Sequence, residues 1–190
     1  MLYLENQHNS NPSLSFKKIA VVGPESTGKS DLAQALAYHY NTVWVPEVAR
    51  SYLENLKAPY SQRDVEEIAR LQLVEEDKME MRANNFLFCD TNLLVIKIWM
   101  QNAYGNCPEW ILNELKTRHY DLILMPDIDL PWAPDPLREH PEKREFFKEW
   151  YLEELKTLDS DFHLVSGFGI ERLNNAISAI EVHFPWSSKN

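Results

Sequence analysis

The sequence predicts an α/β fold: a three-layer αβα arrangement with a five-stranded parallel sheet and a helical lid. Five short apolar runs alternate with longer stretches of helical periodicity, which is the pattern of βαβ units. Runs this short and apolar are typical of strands covered by helices on both faces. A glycine-rich turn between the first run and the first helical stretch points to the same class.

Each element can be placed from the pattern. The predicted strands cover 18–22, 42–45, 86–89, 121–125 and 161–165. Helical patterns lie near 31–40, 47–56, 62–83, 92–103, 108–118, 141–157 and 170–183. Residues 126–141 hold five prolines, which cannot occupy a helix interior or a central strand. We therefore expect a loop or the stiff edge of a lid there.

Length and composition favour one enzyme-sized domain. The 190 residues suit a single domain over 16–190, after a flexible lead over 1–15 that is rich in Asn and Ser. A net charge of −10 argues against nucleic acid as the main partner, and no apolar run is long enough to cross a membrane. Two distant cysteines, Cys89 and Cys107, suggest a reducing cytoplasm. A homo-oligomer is left open.

The glycine-rich turn fits the phosphate-loop pattern G-x-x-x-x-G-K-[ST] at every fixed position. Its glycines permit a tight path that turns successive N–H groups toward a phosphate chain. In such a loop the lysine reaches the β- and γ-phosphates and the final hydroxyl ligates Mg²⁺. The pattern predicts a P-loop NTPase fold that uses ATP and Mg²⁺, bound by Gly23, Pro24, Glu25, Ser26, Thr27, Gly28, Lys29 and Ser30.

Ligands of a parallel sheet lie beyond the carboxyl ends of its strands, which selects Glu47 and Arg50 after the second strand. Glu47 could accept the proton of an acceptor hydroxyl, and Arg50 could clamp an anionic oxygen or hold Glu47 by an ion pair. An ion pair on a solvated helix start explains the same residues.

The third strand ends at Asp90, followed by Thr91 and Asn92. An acid in this position of a P-loop protein acts on the magnesium side of the site. We therefore predict Asp90 as a metal-side and catalytic carboxylate, and Asn92 as a substrate contact. Capping of the next helix is the alternative for this group, and both can hold together.

Two later strand ends carry weaker signals. Arg138 lies just past the proline cluster, where a closing lid could bring positive charge to the γ-phosphate. Arg144 fits a solvated helix start better, while Asp127 and Asp129 could position substrate or metal or simply solubilise the loop. After the fifth strand, Gly167 permits close approach of an adenine ring, although a plain turn explains it almost as well.

Aromatic residues near strand ends could enclose a base or sugar. The candidates are Trp44, Trp99, Trp132 and Tyr104. Most aromatic side chains in a domain of this size belong to the core, so the sequence does not single out one of them.

Taken together, four segments resemble the ribosylnicotinamide kinase domain of NadR-type proteins: G-P-E-S-T-G-K-S, P-E-V-A-R-S-Y, F-L-F-C-D-T-N and D-L-I-L-M-P-D-I-D-L-P-W-A-P-D-P-L-R. The resemblance covers residues 16 to 183. It implies transfer of the ATP γ-phosphate to the 5′-hydroxyl of nicotinamide riboside, with Arg138 as the lid arginine. It also implies an aromatic residue just before E-x-x-R, where this chain has Pro46.

Two other functions fit the same loop. One is a kinase that acts on another nucleoside or a nucleotide. The other is a non-catalytic ATP-binding regulatory protein, which would bind ATP without transferring phosphate. A guanine-reading N-K-x-D motif is absent from the sequence, which argues against a GTPase.

Overall fold

The computed structural model describes residues 16–158 and 160–185. Five parallel strands form one sheet in the order β2-β3-β1-β4-β5. All five predicted strands are present, each within one residue of the predicted bounds. They are β1 Lys17–Val21, β2 Val43–Val45, β3 Phe86–Asp90, β4 Leu122–Pro126 and β5 Phe162–Val165. The predicted lead over 1–15 lies outside the described residues.

The predicted helices are also confirmed, each within three residues of the predicted bounds. A 3₁₀ turn at Pro141–Lys143 precedes the sixth. The helices are α1 Lys29–His39, α2 Val48–Glu54, α3 Gln62–Glu80, α4 Leu93–Tyr104, α5 Glu109–Thr117, α6 Arg144–Leu155 and α7 Ile170–His183. Within the described residues no helix is both long and apolar enough to cross a membrane.

Two hydrophobic clusters, one on each face of the sheet, give the three layers. In β1, Ile19 and Val21 pack toward α1 and α7, whereas Ala20 packs toward α3 and α4. Successive side chains of a strand point to opposite faces, so a strand with two buried faces has to be apolar throughout. This explains why the strands are continuous apolar runs in the sequence.

A buried polar cluster anchors α3 at the amino ends of the strands β1 and β4, opposite the end that carries the phosphate loop. Glu76 is fully buried and accepts hydrogen bonds from Tyr120 Oη at 2.7 Å and Lys18 Nζ at 3.0 Å. Arg118 NH1 donates to the same carboxylate at 3.1 Å. A buried charge is tolerated when it is paired in this way, and the pairing fixes the position of α3.

Residues 127–140, which we call the strap, connect β4 to the 3₁₀ turn without a helix or strand of their own. This agrees with the predicted loop. Prolines within the strap remove backbone donors and fix φ, so the strap depends on other segments for its hydrogen bonds. One of those segments is the glycine-rich turn, whose side chains accept hydrogen bonds from the strap.

Candidate active site

The glycine-rich turn forms a loop between β1 and α1. Gly23, Ser26 and Gly28 have φ values of +139°, +57° and +76°, and Gly28 is the N-cap of α1. This path leaves the first N–H groups of α1 free to bind an anion. Lys29, the first residue of α1, donates from Nζ to the carbonyl of Pro24 at 2.9 Å, so its ammonium lies across the mouth of the loop.

The left-handed backbone of Gly28 favours glycine, and its surroundings leave little spare room. A Cβ atom built there would lie 3.1 Å from Leu130 Cδ1 and 3.5 Å from Arg172 NH1. The strap and α7 therefore pack directly on the outside of the phosphate loop.

Asp90 ends β3 and is 2% exposed. Burial raises the pKa of Asp90 to about 6, and the Glu47 carboxylate adds to the rise, whereas the Ser30 hydroxyl and the Lys29 ammonium oppose it. Its Oδ1 is buried and, among the described residues, has no hydrogen-bond partner. A carboxylate in this state beside a hydroxyl and a lysine is suited to a divalent cation.

Asn92 caps α4, as the alternative from sequence proposed: its Oδ1 accepts a hydrogen bond from the Leu94 N–H at 3.0 Å. The Asn92 side chain is buried, and its Nδ2 lacks a partner among the described residues. Asp90 thus lies beside Lys29 and Ser30 of the phosphate loop, whereas Asn92 is engaged as the cap of α4.

Glu47 lies at the N-cap of α2 and is held in place from α3. Gln72 accepts a hydrogen bond from the Val48 N–H at 2.9 Å and donates to the Pro46 carbonyl at 3.3 Å, so it fixes the backbone on both sides of Glu47. Gln72 is buried, and an isolated polar residue in a helix gives no sequence signal for this role.

One of the alternatives for Arg50, an ion pair with Glu47, is absent from the described part of the structure. Arg50 NH1 instead contacts Asp135 of the strap at 3.0 Å and Glu54 at 3.7 Å. The reason is the approach of the strap to α2, which a local motif cannot encode. Arg50 therefore ties α2 to the strap.

The strap grips the phosphate loop at two residues. The Glu25 carboxylate accepts hydrogen bonds from the backbone N–H of Glu139 at 3.1 Å and of His140 at 3.2 Å. Ser26 Oγ accepts one from the Ala133 N–H at 2.9 Å and contacts Arg138 NH1 at 3.4 Å. Arg138 therefore reaches the phosphate loop.

Arg144 also contacts the loop, which corrects its interpretation as part of a solvated helix start. Its guanidinium donates to the carbonyls of Leu130 at 2.8 Å and Ser26 at 3.1 Å. Burial lowers the pKa of Arg144. The mixed charges around it in sequence conceal this role, because its partners are carbonyls of distant residues.

Arg172 joins the strap, the phosphate loop and the β5–α7 turn. It is 4% exposed, pairs with Asp129, and donates to the carbonyls of Thr27, Asp127 and Gly167. Gly167 N–H donates to Asp129 at 2.6 Å. Asp129 is therefore paired inside this junction rather than placed to hold substrate or metal.

Asp127 is paired as well: its Oδ1 contacts Lys148 Nζ of α6 at 2.6 Å. Lys148 and the neighbouring Arg172 hold the pKa of Asp127 below its usual range, against the effect of burial. The carboxylate thus fixes the start of the strap to α6.

A cavity of about 480 Å³ opens beside the phosphate loop. All eight predicted loop residues line it, and so do Glu47, Arg50 and Arg138. Asp90 and Asn92 are buried and do not line it. Gly167 lies on the far side of Arg172, so the structure does not bring it into the cavity with the other predicted site residues.

The far wall of the cavity is aromatic. Trp99 was a sequence candidate and lines it, whereas Trp44, Trp132 and Tyr104 do not. The other rings, Tyr60, Phe147 and Tyr151, were missed from sequence. Phe147 and Tyr151 are four residues apart on α6, a spacing that places both on one helix face and could have indicated them.

The fold and this site define a class: a P-loop protein with the fold of the P-loop kinases. The phosphate loop joins β1 to α1, an acid ends the adjacent strand β3, and a strap reaches back over the loop. Residues 18–172 match the AAA domain family AAA_28, and the chain belongs to that family.

The chain is similar to curated relatives in sequence. It is 25% identical over 154 residues to the trifunctional NAD biosynthesis/regulator protein NadR of Salmonella typhimurium, covering 77% of this chain and 37% of that protein. Identity to NadR of Escherichia coli is 27% over 128 residues, covering 64% and 31%. The chain thus spans about a third of the length of these relatives.

Solved structures share the fold. A NadR protein in complex with NR superposes with a TM-score of 0.73 at 22% identity, covering 93% of this chain and 54% of that one. NadR in complex with NAD and AMP-PNP gives a TM-score of 0.69 at 23% identity, covering 93% and 52%. Thymidylate kinase of Candida albicans gives 0.64 at 16% identity, covering 88% and 92%.

Proposed function

We propose that this chain is an ATP- and Mg²⁺-dependent kinase that phosphorylates the 5′-hydroxyl of nicotinamide riboside to give nicotinamide mononucleotide, a step of NAD salvage. One observation carries the proposal: a single cavity joins the phosphate loop to an aromatic wall, with Glu47 lining it as well. Similarity to NadR, including a structure solved with NR, supports this acceptor.

The positive groups would stabilise the charge on the transferring phosphoryl group. The loop N–H groups and Lys29 would hold the phosphate chain, and Arg138 would approach the terminal phosphate from the strap. Because the fold holds the backbone of the loop in place before ATP binds, its N–H groups would need little reorganisation during transfer.

Glu47 would orient the acceptor hydroxyl. The hydroxyl oxygen would attack the γ-phosphorus as the bond to the bridging oxygen of ADP breaks, and the hydroxyl proton would pass to a carboxylate, that of Glu47 or Asp90. Glu47 is the better placed of the two, because it lines the cavity, whereas Asp90 is buried and does not line it.

Ser30 and Asp90 fit the role of magnesium ligands. The free, buried Oδ1 of Asp90 lies in a pocket of negative charge with Glu47, which is the donor set that Mg²⁺ prefers. When bound, Mg²⁺ would neutralise charge on the phosphate oxygens. The two cysteines are free thiols, which is consistent with a reaction in a reducing cytoplasm.

The direct test is ADP release by the purified chain with ATP and Mg²⁺, with and without nicotinamide riboside, and identification of the product by mass. We expect release to depend on the riboside and the product to gain one phosphoryl group.

A panel of nucleosides and nucleotides, including thymidine monophosphate because of the thymidylate kinase fold, tests the second candidate. Phosphorylation of another acceptor in preference to the riboside would contradict the proposed one, and ATP binding without any transfer would favour a regulatory protein.

A further inference from the structure

The part of the cavity away from the phosphate loop is built from two ring pairs, which we call the acceptor chamber: Tyr60, Trp99, His140 and Phe147, with Asn102 and Glu139. Tyr60 and Trp99 meet edge to face with ring centres 5.0 Å apart. His140 and Phe147 are stacked at 5.2 Å. These rings come from α4, α6, the strap and the loop before α3, so only the fold brings them together.

One carboxylate, that of Glu139, lies at the open rim of the acceptor chamber, with its side chain 48% exposed. Tyr60 donates from its hydroxyl to Glu139 Oε2 at 2.9 Å, and Trp99 Nε1 donates to the Tyr60 oxygen at 3.2 Å. These two hydrogen bonds, from the indole to the phenol and from the phenol to the carboxylate, orient Glu139 toward the rings, although its side chain stays in contact with solvent.

Glu139 has no arginine or lysine within ion-pair distance among the described residues. The nearest basic group is His140 Nε2 at 4.0 Å, and that nitrogen also contacts Asn102 Nδ2 at 3.1 Å. The cations of the cavity are engaged elsewhere: Arg50 pairs with Asp135 at 3.0 Å, while Lys29 and Arg138 lie on the phosphate loop.

The charge balance of the chamber therefore favours a cation. Once ATP phosphates engage Lys29 and Arg138, the cavity-lining charges without an arginine or lysine partner among the described residues are the carboxylates of Glu25, Asp31, Glu47 and Glu139. Aromatic faces attract cations through their quadrupole, so the rings and the carboxylate act in the same direction.

We infer that the acceptor chamber selects a positively charged aromatic ring and that Glu139 is a specificity-determining residue. This deepens the proposed function and rests on it. The chamber would accept the cationic pyridinium of nicotinamide riboside. It would discriminate against nicotinic acid riboside, because the carboxylate that replaces the carboxamide would be repelled by Glu139, and against neutral nucleosides.

Glu139 could instead serve only to hold Tyr60. Glu139→Gln separates the two roles, because a glutamine oxygen still accepts the Tyr60 hydroxyl while the charge is lost. Glu142→Gln is the matched control: it removes one negative charge from the adjacent 3₁₀ turn, where Glu142 is exposed and outside the cavity.

The experiment compares kcat/KM for nicotinamide riboside, nicotinic acid riboside and uridine in the parent protein and both variants. We expect the parent to favour the cationic riboside over the zwitterionic one by about tenfold or more. Glu139→Gln should lower kcat/KM for nicotinamide riboside about five- to tenfold, a range limited because a half-exposed charge is screened, and should leave nicotinic acid riboside unchanged or improved. Glu142→Gln should change neither value.

Equal use of the two ribosides by the parent would overturn the inference, and so would an equal loss for both in Glu139→Gln, which is the result of a purely structural role. Dissociation constants of the two ribosides, measured by calorimetry, distinguish failure of the charge selection from failure of the proposed kinase function. If neither riboside is phosphorylated but the cationic one still binds preferentially and loses that preference in Glu139→Gln, the kinase proposal fails and the charge selection stands. Equal binding in that case would overturn the selection too.

Discussion

At the residue scale, the buried carboxyl group of Asp90 makes the stability of the fold depend on pH. Because its folded-state pKa of about 6 exceeds that of an unfolded carboxyl, near 3.9, the fold is destabilised wherever Asp90 is ionised. The cost is absent below about pH 4 and complete above about pH 6.

We therefore expect Asp90→Asn to stabilise the protein in the absence of Mg²⁺ and nucleotide. The gain in free energy of unfolding should reach about 3 kcal/mol at pH 8, from a pKa difference near two units, and should vanish toward pH 4. Urea unfolding across this pH range measures it. A gain that is constant with pH would show that ionisation of Asp90 is not its cause.

Lys29 is the second residue on which the site depends. Lys29→Ala should lower kcat by about 10² to 10³, the range for loss of one group that stabilises charge in the transition state, because no other described lysine lines the cavity. Steady-state kinetics measure the loss, and unfolding of the variant checks the fold. Full activity in a folded Lys29→Ala protein would contradict the proposed chemistry.

At the element scale, Arg172 of α7 holds three segments that meet around the phosphate loop. Arg172→Ala would leave Asp129 without its partner and free three carbonyls, so we expect a loss of about 3 to 5 kcal/mol in the free energy of unfolding. Arg172→Lys should recover part of the stability and still raise the KM for ATP more than that for the riboside, because the phosphate loop loses its support. Equal changes in both KM values would show a general loss of structure.

The strap is held against the phosphate loop by hydrogen bonds to Glu25. Since Glu25 accepts the N–H groups of Glu139 and His140, Glu25→Gln should weaken that grip by replacing charged hydrogen bonds with neutral ones, which are about half as strong. Hydrogen exchange by mass spectrometry should show faster exchange in the strap, by roughly fivefold, with unchanged exchange in β1 and β3. Unchanged exchange in the strap would mean that other contacts hold it.

These elements separate what the sequence can predict from what it cannot. The phosphate loop and the strands follow from local rules: a fixed spacing for phosphate N–H groups, and apolar runs for strands buried on both faces. Arg144 donates to the carbonyl of Ser26, and Arg172 donates to the carbonyl of Thr27. Each pair is separated by more than 100 residues in the sequence, so no local pattern indicates it. The acceptor chamber is hidden for the same reason, because Tyr60 and Glu139 become neighbours only when the strap folds back.

At the scale of the whole molecule, ligand binding should stabilise the fold, since the phosphate loop connects β1 and α1 to the strap and α7. A non-hydrolysable ATP analogue with Mg²⁺ at about 100 times its Kd should add about 2.7 kcal/mol. For a domain of this size that corresponds to a rise in Tm of roughly 5 to 10 °C.

Differential scanning calorimetry can measure this rise and assign it to the site. Lys29→Ala should lose most of it, whereas the exposed Arg82→Ala, which removes a positive charge far from the loop, should keep it. Nicotinamide riboside added with the analogue should raise Tm further than either ligand alone, because the acceptor chamber and the phosphate loop are closed by the same strap. An equal shift in Lys29→Ala would place the nucleotide elsewhere, and an absence of any added effect from the riboside would separate the chamber from the phosphate site.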